Sequence, residues 1–219
     1  MGHAIETLAL QRGHAIGCVV DGETDFQRFD TELGTCDVAV EFTQPECAVR
    51  NIRHCFDRNL PVVCGTTGWY DHCEDIEAEC RERNQTLFVA SNFSIGMNIM
   101  FELNRRLAQL MATRPEYRVA LSETHHIHKL DAPSGTAITL AQDINRIFHN
   151  ERMPIGDIVS IREGEVPGIH EVVYDSDVDT LTLRHSAKSR QGLAVGALLA
   201  AEFLCGRKGC YTMQDLLSE

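Results

Sequence analysis

Short apolar runs alternate with helical patterns through the first part of the chain, and this alternation constrains the fold more than any other feature. The runs predicted as strands are residues 14–20, 37–42, 60–64 and 86–90. Apolar residues at helical spacing occupy residues 1–13, 45–58 and 71–83. Strands separated by helices at this pitch form a parallel sheet with helices on both faces, which binds its ligands at the carboxyl ends of the strands. The pattern therefore predicts a domain of the doubly wound α/β class.

The pattern changes after this first region. A long helix is predicted from Asn98 to about Ala112, and a strand over 117–122 precedes a helix that runs to about Asn150. Three β-rich runs then follow one another without helices between them, at residues 156–162, 170–174 and 180–185. This half of the chain is predicted to be an α+β layer with an open, mixed or antiparallel sheet. An apolar helix over 193–205 and a capping box at Thr212 close the chain.

Residues 123–137 concentrate groups that carry protons and bind anions. Three imidazoles and an ammonium lie close together there, at His125, His126, His128 and Lys129. Ser134, Gly135 and Thr136 follow Pro133 as a helix start, where Ser134 can cap and free N–H groups can hold an anion. A group that titrates near neutral pH beside a fixed cation and such a cradle predicts proton transfer on an acidic small molecule. The alternatives are a metal site or a polar loop, although the spacing lacks a carboxylate or thiolate arranged for zinc.

The overall charge narrows the class of partner. The net charge is −12 at pH 7, which argues against nucleic acid and anionic membranes as partners because both would repel the chain. No apolar run approaches the length of about 20 residues that spans a membrane. The nine cysteines are odd in number, no signal peptide precedes them and none forms a Cys-x-x-Cys pair. We therefore expect reduced thiols in a cytoplasm, and no metal.

The run from Glu123 to Ala137, ETHHIHKLDAPSGTA, closely resembles the signature of the 4-hydroxy-tetrahydrodipicolinate reductase (dihydrodipicolinate reductase) family. Enzymes of this family act in the diaminopimelate route to lysine. Further segments resemble the family in the same order, namely CGTTG at 64–68, SNFSIGMN at 91–98 and HSAKSRQGLAVGA at 185–197. The resemblance covers nearly the whole chain except its beginning.

The resemblance implies a role for each part of the signature. It implies that His125 supplies a proton as hydride arrives from NADH or NADPH, with Lys129 assisting as acid and electrostatic partner. The carboxylates of a small dicarboxylate substrate are then held by His126, Ser134, Gly135 and Thr136. The nicotinamide half of the cofactor contacts two loops, made of Gly65, Thr66, Thr67 and Gly68 and of Ala90, Ser91, Asn92 and Phe93. The alternative is a catalytically impaired sensor of small anions or dinucleotides, but such a protein needs the cradle and no acid.

The resemblance also implies the domain organisation and the assembly. The tail returns to the dinucleotide domain, which then comprises residues 1–94 and 193–219. Residues 95–192 form the domain for substrate binding and oligomerisation, whose sheet is expected to build a homotetramer.

The cofactor specificity and the beginning of the chain carry two further expectations. Asp21 follows the predicted strand 14–20, where an acid can bond the adenosine ribose, although such a residue also forms turns. Because Asp21 and Glu23 are acidic and the nearest arginine is Arg28, we expect NADH to be used at least as well as NADPH. The first five residues match only the last part of a glycine-rich loop, with Gly2 as its remaining cofactor contact. We therefore expect either a native start about ten residues earlier or a distorted cofactor domain that binds dinucleotide weakly.

Overall fold

The computed structural model describes residues 1–22, 25–149 and 153–218, and the chain divides into two compact units. The first unit comprises Met1–Ile95 and Gln191–Glu219, and the second comprises Gly96–Arg190. Within the described residues no helix is both long enough and apolar enough to cross a membrane.

Helices and strands alternate in the first unit and segregate in the second. The helices are α1 (Gly2–Gln11), α2 (Asp25–Arg28), α3 (Asp30–Leu33), α4 (Pro45–Phe56), α5 (Cys73–Glu82), α6 (Ile95–Met111), α7 (Gly135–Phe148), α8 (Gln191–Phe203) and α9 (Met213–Leu217), with 3₁₀ turns at Tyr70–His72 and Ile155–Asp157. The strands are β1 (Ala39–Glu41), β2 (Val62–Cys64), β3 (Thr86–Val89), β4 (Arg118–His125), β5 (Val159–Arg162), β6 (Ile169–Asp175), β7 (Thr180–Ser186) and β8 (Gly209–Tyr211).

The first unit is built on a parallel sheet with the strand order β1-β2-β3-β8. Successive residues of its strands point to two different hydrophobic clusters. Val62 and Cys64 join the cluster that contains residues of α4 and α5, whereas Val63 joins the cluster that contains residues of α1 and α8. Helices therefore cover both faces of the sheet, and the predicted doubly wound α/β class is confirmed.

The predicted strand at residues 14–20 is wrong. Cys18 and Val20 are half-buried against the hydrophobic cluster that contains residues of α4 and α5, while Val19 is exposed. Burial therefore alternates along this segment as the sequence pattern indicated. The segment nevertheless forms no ladder, because β1 pairs with β2 alone among the described strands. Alternating burial does not make a strand unless a neighbour supplies hydrogen-bond partners. Glu23 and Thr24, part of the acidic run considered for cofactor choice, lie outside the described residues.

The second unit contains a mixed sheet with the order β5-β4-β6-β7. β4 and β5 are parallel and the other pairs are antiparallel, as the β-rich runs without intervening helices predicted. Residues of α6 and α7 pack in one hydrophobic cluster with Leu121, Val172 and Tyr174 of the sheet.

Strand β4 continues past the predicted end at residue 122 and reaches His125. Its last residues are held on both sides, because Ser122–His125 pair with Val159–Arg162 of β5 and β4 also pairs with β6. The first histidine of the signature is therefore a strand residue and not a loop residue.

The tail contains one strand that the sequence analysis missed, β8, which is short and begins with a glycine. The predicted capping box is confirmed. The Asp215 carboxylate accepts hydrogen bonds from the backbone N–H and the hydroxyl of Thr212, at 2.7 and 2.8 Å.

Candidate active site

On the inner face of the mixed sheet, apolar side chains give way to polar and ionisable ones towards the end of β4. Along β4, Leu121, Glu123 and His125 are all buried because side chains two residues apart share a face. The strand register places a row of polar residues side by side at the level of Glu123, consisting of Ser160 on β5, Glu123 on β4, His170 on β6 and His185 on β7. The row lies on the buried side of the sheet, so water cannot satisfy these groups freely.

Glu123 connects His125 to Arg162. One carboxylate oxygen of Glu123 is hydrogen-bonded to Nδ1 of His125, and the other accepts from the Arg162 guanidinium at 2.9 Å. Burial opposes ionisation of Glu123, but the hydrogen bonds from Arg162 and His125 outweigh it and lower the pKa of this carboxyl. Burial also lowers the pKa of His125, and the bond to Glu123 works against that shift.

Lys129 lies on the loop that leaves β4. Its ammonium bonds to the Asp131 carboxylate at 2.7 Å, and this hydrogen bond lowers the pKa of Asp131. Arg162 donates to the backbone carbonyls of Lys129 and Asp131, at 3.3 and 2.6 Å. The charge of Lys129 also acts on His125 and contributes to its lowered pKa, which indicates that the two predicted catalytic residues lie in the same part of the second unit.

The predicted helix start is confirmed at α7. The Ser134 hydroxyl accepts from the N–H of Ala137 at 3.2 Å, and it also lies 3.1 Å from Nε2 of His170. Burial, together with the charge of His125, lowers the pKa of His170 to about 4, so this ring is neutral at pH 7. Gly135 is exposed, and Thr136 beside it is half-buried. The helix N-terminus, with Gly135 exposed, therefore lies next to the histidine row, an arrangement suited to a carboxylate.

His126 lines a cavity of the second unit. The cavity has a volume of about 370 Å³ and is lined by His126, His128, Glu165, Pro167 and Arg190. Nε2 of His126 is 3.2 Å from the Arg190 guanidinium, and Nε2 of His128 is 3.0 Å from the Glu165 carboxylate. An arginine beside a histidine is suited to holding a carboxylate.

In the first unit, the two predicted cofactor loops follow β2 and β3, which are neighbouring parallel strands. Their carboxyl ends therefore meet at one edge of the sheet. Thr67 and Ser91 are exposed and Asn92 is half-buried, whereas Thr66, Ala90 and Phe93 are buried.

Both loops are anchored by contacts with their surroundings. The Thr66 hydroxyl accepts from the N–H of Thr43 at 2.7 Å, and the Phe93 ring packs on those of Phe42 and Phe88. A Cβ added to Gly65 would overlap the Phe42 ring, so glycine is required there.

Comparison with known proteins identifies the family. A model described as the N-terminus of dihydrodipicolinate reductase matches residues 1–93, and one described as its C-terminus matches residues 96–217. The 4-hydroxy-tetrahydrodipicolinate reductase of Christiangramia forsetii is 42% identical, over 100% of this chain and 94% of that protein. The chain belongs to the dihydrodipicolinate reductase family.

Other members of the family agree with this assignment. The 4-hydroxy-tetrahydrodipicolinate reductase of Akkermansia muciniphila is 36% identical, over 99% of this chain and 93% of that protein. A solved structure of the dipicolinate-bound reductase from Paenisporosarcina sp. TG-14 superposes with a TM-score of 0.67 at 26% identity, covering 80% of this chain and 71% of that one.

The residues present fit the reduced nicotinamide cofactor that this family implies. Helix α1 begins at Gly2 without a side-chain cap, and a Cβ at Gly2 would meet nothing within 4 Å. A helix start of this kind has unpaired N–H groups and favours a pyrophosphate. Asp21 is exposed, and the two loops at the carboxyl ends of β2 and β3 provide small residues where a ring can approach the backbone.

The buried groups around His125 do not favour a metal ion. Ligand atoms of Glu123, His125 and His170 lie within 4.8 Å of one another, and two imidazoles with a carboxylate suit several divalent metals. Arg162 already bonds the carboxylate, and the charge of Lys129 acts on both histidines. Because these cations oppose a further positive charge, we assign no metal, and its predicted absence stays a prediction.

Several residues of the site escaped the sequence analysis, namely Glu123 in its bonding role, Arg162, Gly168, His170 and Arg190. Residues 122–125 are all polar, so the only signal for Glu123 was its place two residues after Leu121 and two before His125, on the same face of a strand that continues to His125. Gly168 has a φ of +152°, and a Cβ there would lie 3.1 Å from Nε2 of His125. Glycine at 168 therefore leaves space beside the histidine nitrogen that is not bonded to Glu123.

Proposed function

We propose that His125 and Lys129 carry the proton chemistry of the 4-hydroxy-tetrahydrodipicolinate reductase reaction. This reaction is the function of the chain, an oxidoreductase of diaminopimelate and lysine biosynthesis that uses NADH or NADPH. The reduced nicotinamide supplies hydride when it is bound. The observation that carries the proposal is the hydrogen bond between His125 and the buried carboxylate of Glu123. The charge of Lys129 acts on His125, and Ser134 at the start of α7 bonds His170, whose ring contacts that of His125.

Each residue has a separate task in this proposal. The His125 imidazolium gives its Nε2 proton to the substrate, because Nδ1 is bonded to Glu123. Lys129 assists as an acid and attracts a substrate carboxylate. The carboxylate oxygens are held by the N–H groups at Gly135 and Thr136, the Ser134 hydroxyl and His126. These groups act as a cradle because a helix start and nearby cations stabilise negative charge.

The same proposal assigns cofactor contacts in the first unit. Gly2 would hold the pyrophosphate and Asp21 the adenosine ribose. The nicotinamide half would contact the loops of Gly65, Thr66 and Thr67 and of Ala90, Ser91, Asn92 and Phe93. Because Thr66 and Phe93 are buried, their side chains support the loops while the exposed residues face the ligand.

Activity measurements on two variants test the proposed proton donors. General-acid catalysis contributes about 10²–10⁴-fold, so His125→Gln and Lys129→Ala should each lower kcat by about that factor. Oxidation of the reduced cofactor is followed by absorbance with substrate made by the preceding pathway enzyme. Circular dichroism serves as the check on folding. Turnover within twofold of the parent in either folded variant would remove that residue from the mechanism.

We further propose that the chain works in the cytoplasm as a homotetramer and binds neither nucleic acid nor membrane. All nine cysteines are free, as a reducing compartment requires. The outer face of the mixed sheet, opposite the polar row, exposes Val159 and Ile161 of β5. The charge of −12 disfavours polyanionic partners.

A further inference from the structure

The two oxygens of Glu123 have different partners. An arginine that only ties two strands together commonly binds both oxygens of a carboxylate with its fork. Here the Arg162 guanidinium donates to one oxygen of Glu123 at 2.9 Å, and the other oxygen is hydrogen-bonded to His125. Glu123 is only 1% exposed, so water does not compete for either oxygen. The arrangement fixes which nitrogen of His125 faces the carboxylate.

Arg162 also donates to the loop that carries Lys129, and its Nη1 donates to the carbonyl of Ile161 in β5 at 2.8 Å. It donates to the carbonyls of Lys129 and Asp131 at 3.3 and 2.6 Å. One guanidinium therefore joins the carboxylate behind His125 to the backbone of the second proton donor. The contact spans β4, β5 and the loop, so it sets the position of His125 and Lys129 together.

We propose that Glu123 and Arg162 are the positioning residues of this reductase, Glu123 through the ring of His125 and Arg162 through the backbone at Lys129. This inference rests on the proposed function of His125. Glu123 holds Nδ1–H and stabilises the imidazolium, which places Nε2 on the side where Gly168 has no Cβ. The Nε2–H bond breaks as the proton passes to the substrate, and the neutral ring keeps Nδ1–H and regains a proton from solvent.

The charges around His125 determine the direction of the pH effect. Arg162 from β5, Lys129 from the loop and His170 from β6 lie around the ring, with His185 of β7 next to His170. Lys129 and Arg162 disfavour the imidazolium, and Glu123 is the group that favours it. Activity requires the protonated ring, so it falls as pH rises through the pKa of His125. Removing the Glu123 charge should move this alkaline limb to lower pH.

The test compares Glu123→Gln with Glu171→Gln. Glu171 belongs to a Glu–Arg pair in the same sheet, with Arg184 at 3.4 Å, and lies on the face opposite His170. The kcat/KM profile against pH is measured for both variants and the parent. We expect Glu123→Gln to lower kcat by at least about tenfold and by no more than the loss of His125, about 10²–10⁴-fold. Its alkaline limb moves to lower pH, while Glu171→Gln matches the parent.

Two further variants separate positioning from a structural role. In the double variant with His125→Gln, Glu123→Gln should have no additional effect, because Glu123 acts through the missing ring. Arg162→Lys keeps a cation beside Glu123 but loses the several N–H donors of the guanidinium. We therefore expect kcat to fall while the alkaline limb of the kcat/KM profile stays at the same pH. An additive double variant, or an unmoved limb in Glu123→Gln, overturns the inference.

The failure of this inference is distinguishable from that of the proposed function. If His125→Gln alone retains activity, His125 is not the acid, whatever Glu123 does. If Glu123→Gln does not fold, ¹⁵N NMR of the histidines in the parent decides. The neutral His125 ring should carry its proton on Nδ1, and a proton on Nε2 would overturn the role of Glu123.

Discussion

Two buried glutamates, one in each unit, show what separates a structural carboxylate from one placed for chemistry. Glu41 is the last residue of β1 and is 6% exposed, and Glu123 of β4 is 1% exposed. Glu41 is held by three neutral donors, the Thr43 hydroxyl, the Asn51 amide at 3.3 Å and the Cys64 thiol at 3.1 Å. Glu123 is held by a guanidinium and an imidazole. Burial is alike at the two sites, and the partners differ in charge.

The difference indicates what each carboxylate does. Burial and the nearby charge of Glu41 raise the pKa of the Cys64 thiol, which keeps this partner protonated and a donor. The donors around Glu41 thus tie β1 to α4 and β2 and take no part in proton exchange. The partners of Glu123 include an imidazole, a group that can gain and lose a proton. A buried carboxylate is therefore a candidate for catalysis when its partner can change protonation during the reaction.

The largest expected effect is on stability, and it tests whether the two carboxylates differ as described. Glu123→Gln leaves Arg162, whose side chain is 20% exposed, without its carboxylate. We expect a loss of about 3 kcal/mol, at the low end for a broken buried ion pair because Arg162 still reaches water. Glu41→Gln should cost less, about 1.5 kcal/mol, at the low end for hydrogen bonds to a charged group, because the donors around Glu41 are neutral and none is left as an unpaired charge. Urea denaturation at pH 7 measures both, and equal losses would show that the charged partners of Glu123 add nothing.

The loss in Glu123→Gln should also depend on pH. The folded-state pKa of Glu123 is lowered by Arg162 and His125 against the effect of burial. Its contribution to stability is therefore fully present above the unfolded-state pKa of about 4.3. It disappears as pH falls through the lower folded-state pKa. Denaturation of parent and variant between pH 7 and pH 3 should show the difference shrinking on the acid side, and a constant difference would contradict the assigned ion pair.

The sequence predicted the first unit well where local pattern decides structure, and less well where distant pairing decides it. The helices at 45–56 and 73–82 and the loops after β2 and β3 follow from spacing and turn residues. The strand at 14–20 was wrong, because a strand also needs a ladder partner. In the second unit, His125 and Ser134 were found from chemistry and capping within one short segment.

Arg162 could not be found in the same way, because it lies 39 positions from Glu123. The parallel pairing of β4 and β5 brings the two together, and register across that distance is not encoded in either segment alone. The end of β4 was misplaced for the same reason, since pairing on both sides extends it to His125. Local pattern located the residues that we propose as reacting groups, and sheet register brings Arg162 to Glu123, the pair that we propose positions them.

The two sheets differ in a second respect, which concerns assembly. Helices cover both faces of the parallel sheet, whereas α6 and α7 pack against one face of the mixed sheet. Val159 and Ile161, 56% and 44% exposed, lie on the other face. We expect the proposed tetramer to bury them, with each side chain contributing about 1 kcal/mol, because about half of each is already buried. Analytical ultracentrifugation should show a tetramer for the parent and smaller species for Val159→Asp.

The turn between β6 and β7 provides the control for this prediction. Val178 is 86% exposed there, outside the strands, so Val178→Asp should leave the assembly unchanged. A monomeric parent at micromolar concentration would contradict the proposed tetramer, and the apolar residues of β5 would then need another explanation.

The smallest expected effect concerns the choice of cofactor, where an exposed acid of the first unit is compared with the buried ones. Asp21 is exposed, and in the proposed site its charge would repel the 2′-phosphate of NADPH. Since water and salt screen an exposed charge, the effect should be modest, and any preference for NADPH should stay below about tenfold, or 1.4 kcal/mol.

The ratio of kcat/KM for the two cofactors is measured at low and high salt. Asp21→Asn should shift it a few-fold towards NADPH at low salt and less at high salt, whereas Asp37→Asn, an exposed acid before β1, should not. A tenfold preference for NADPH in the parent, or equal shifts in the two variants, would show that Asp21 does not face the ribose.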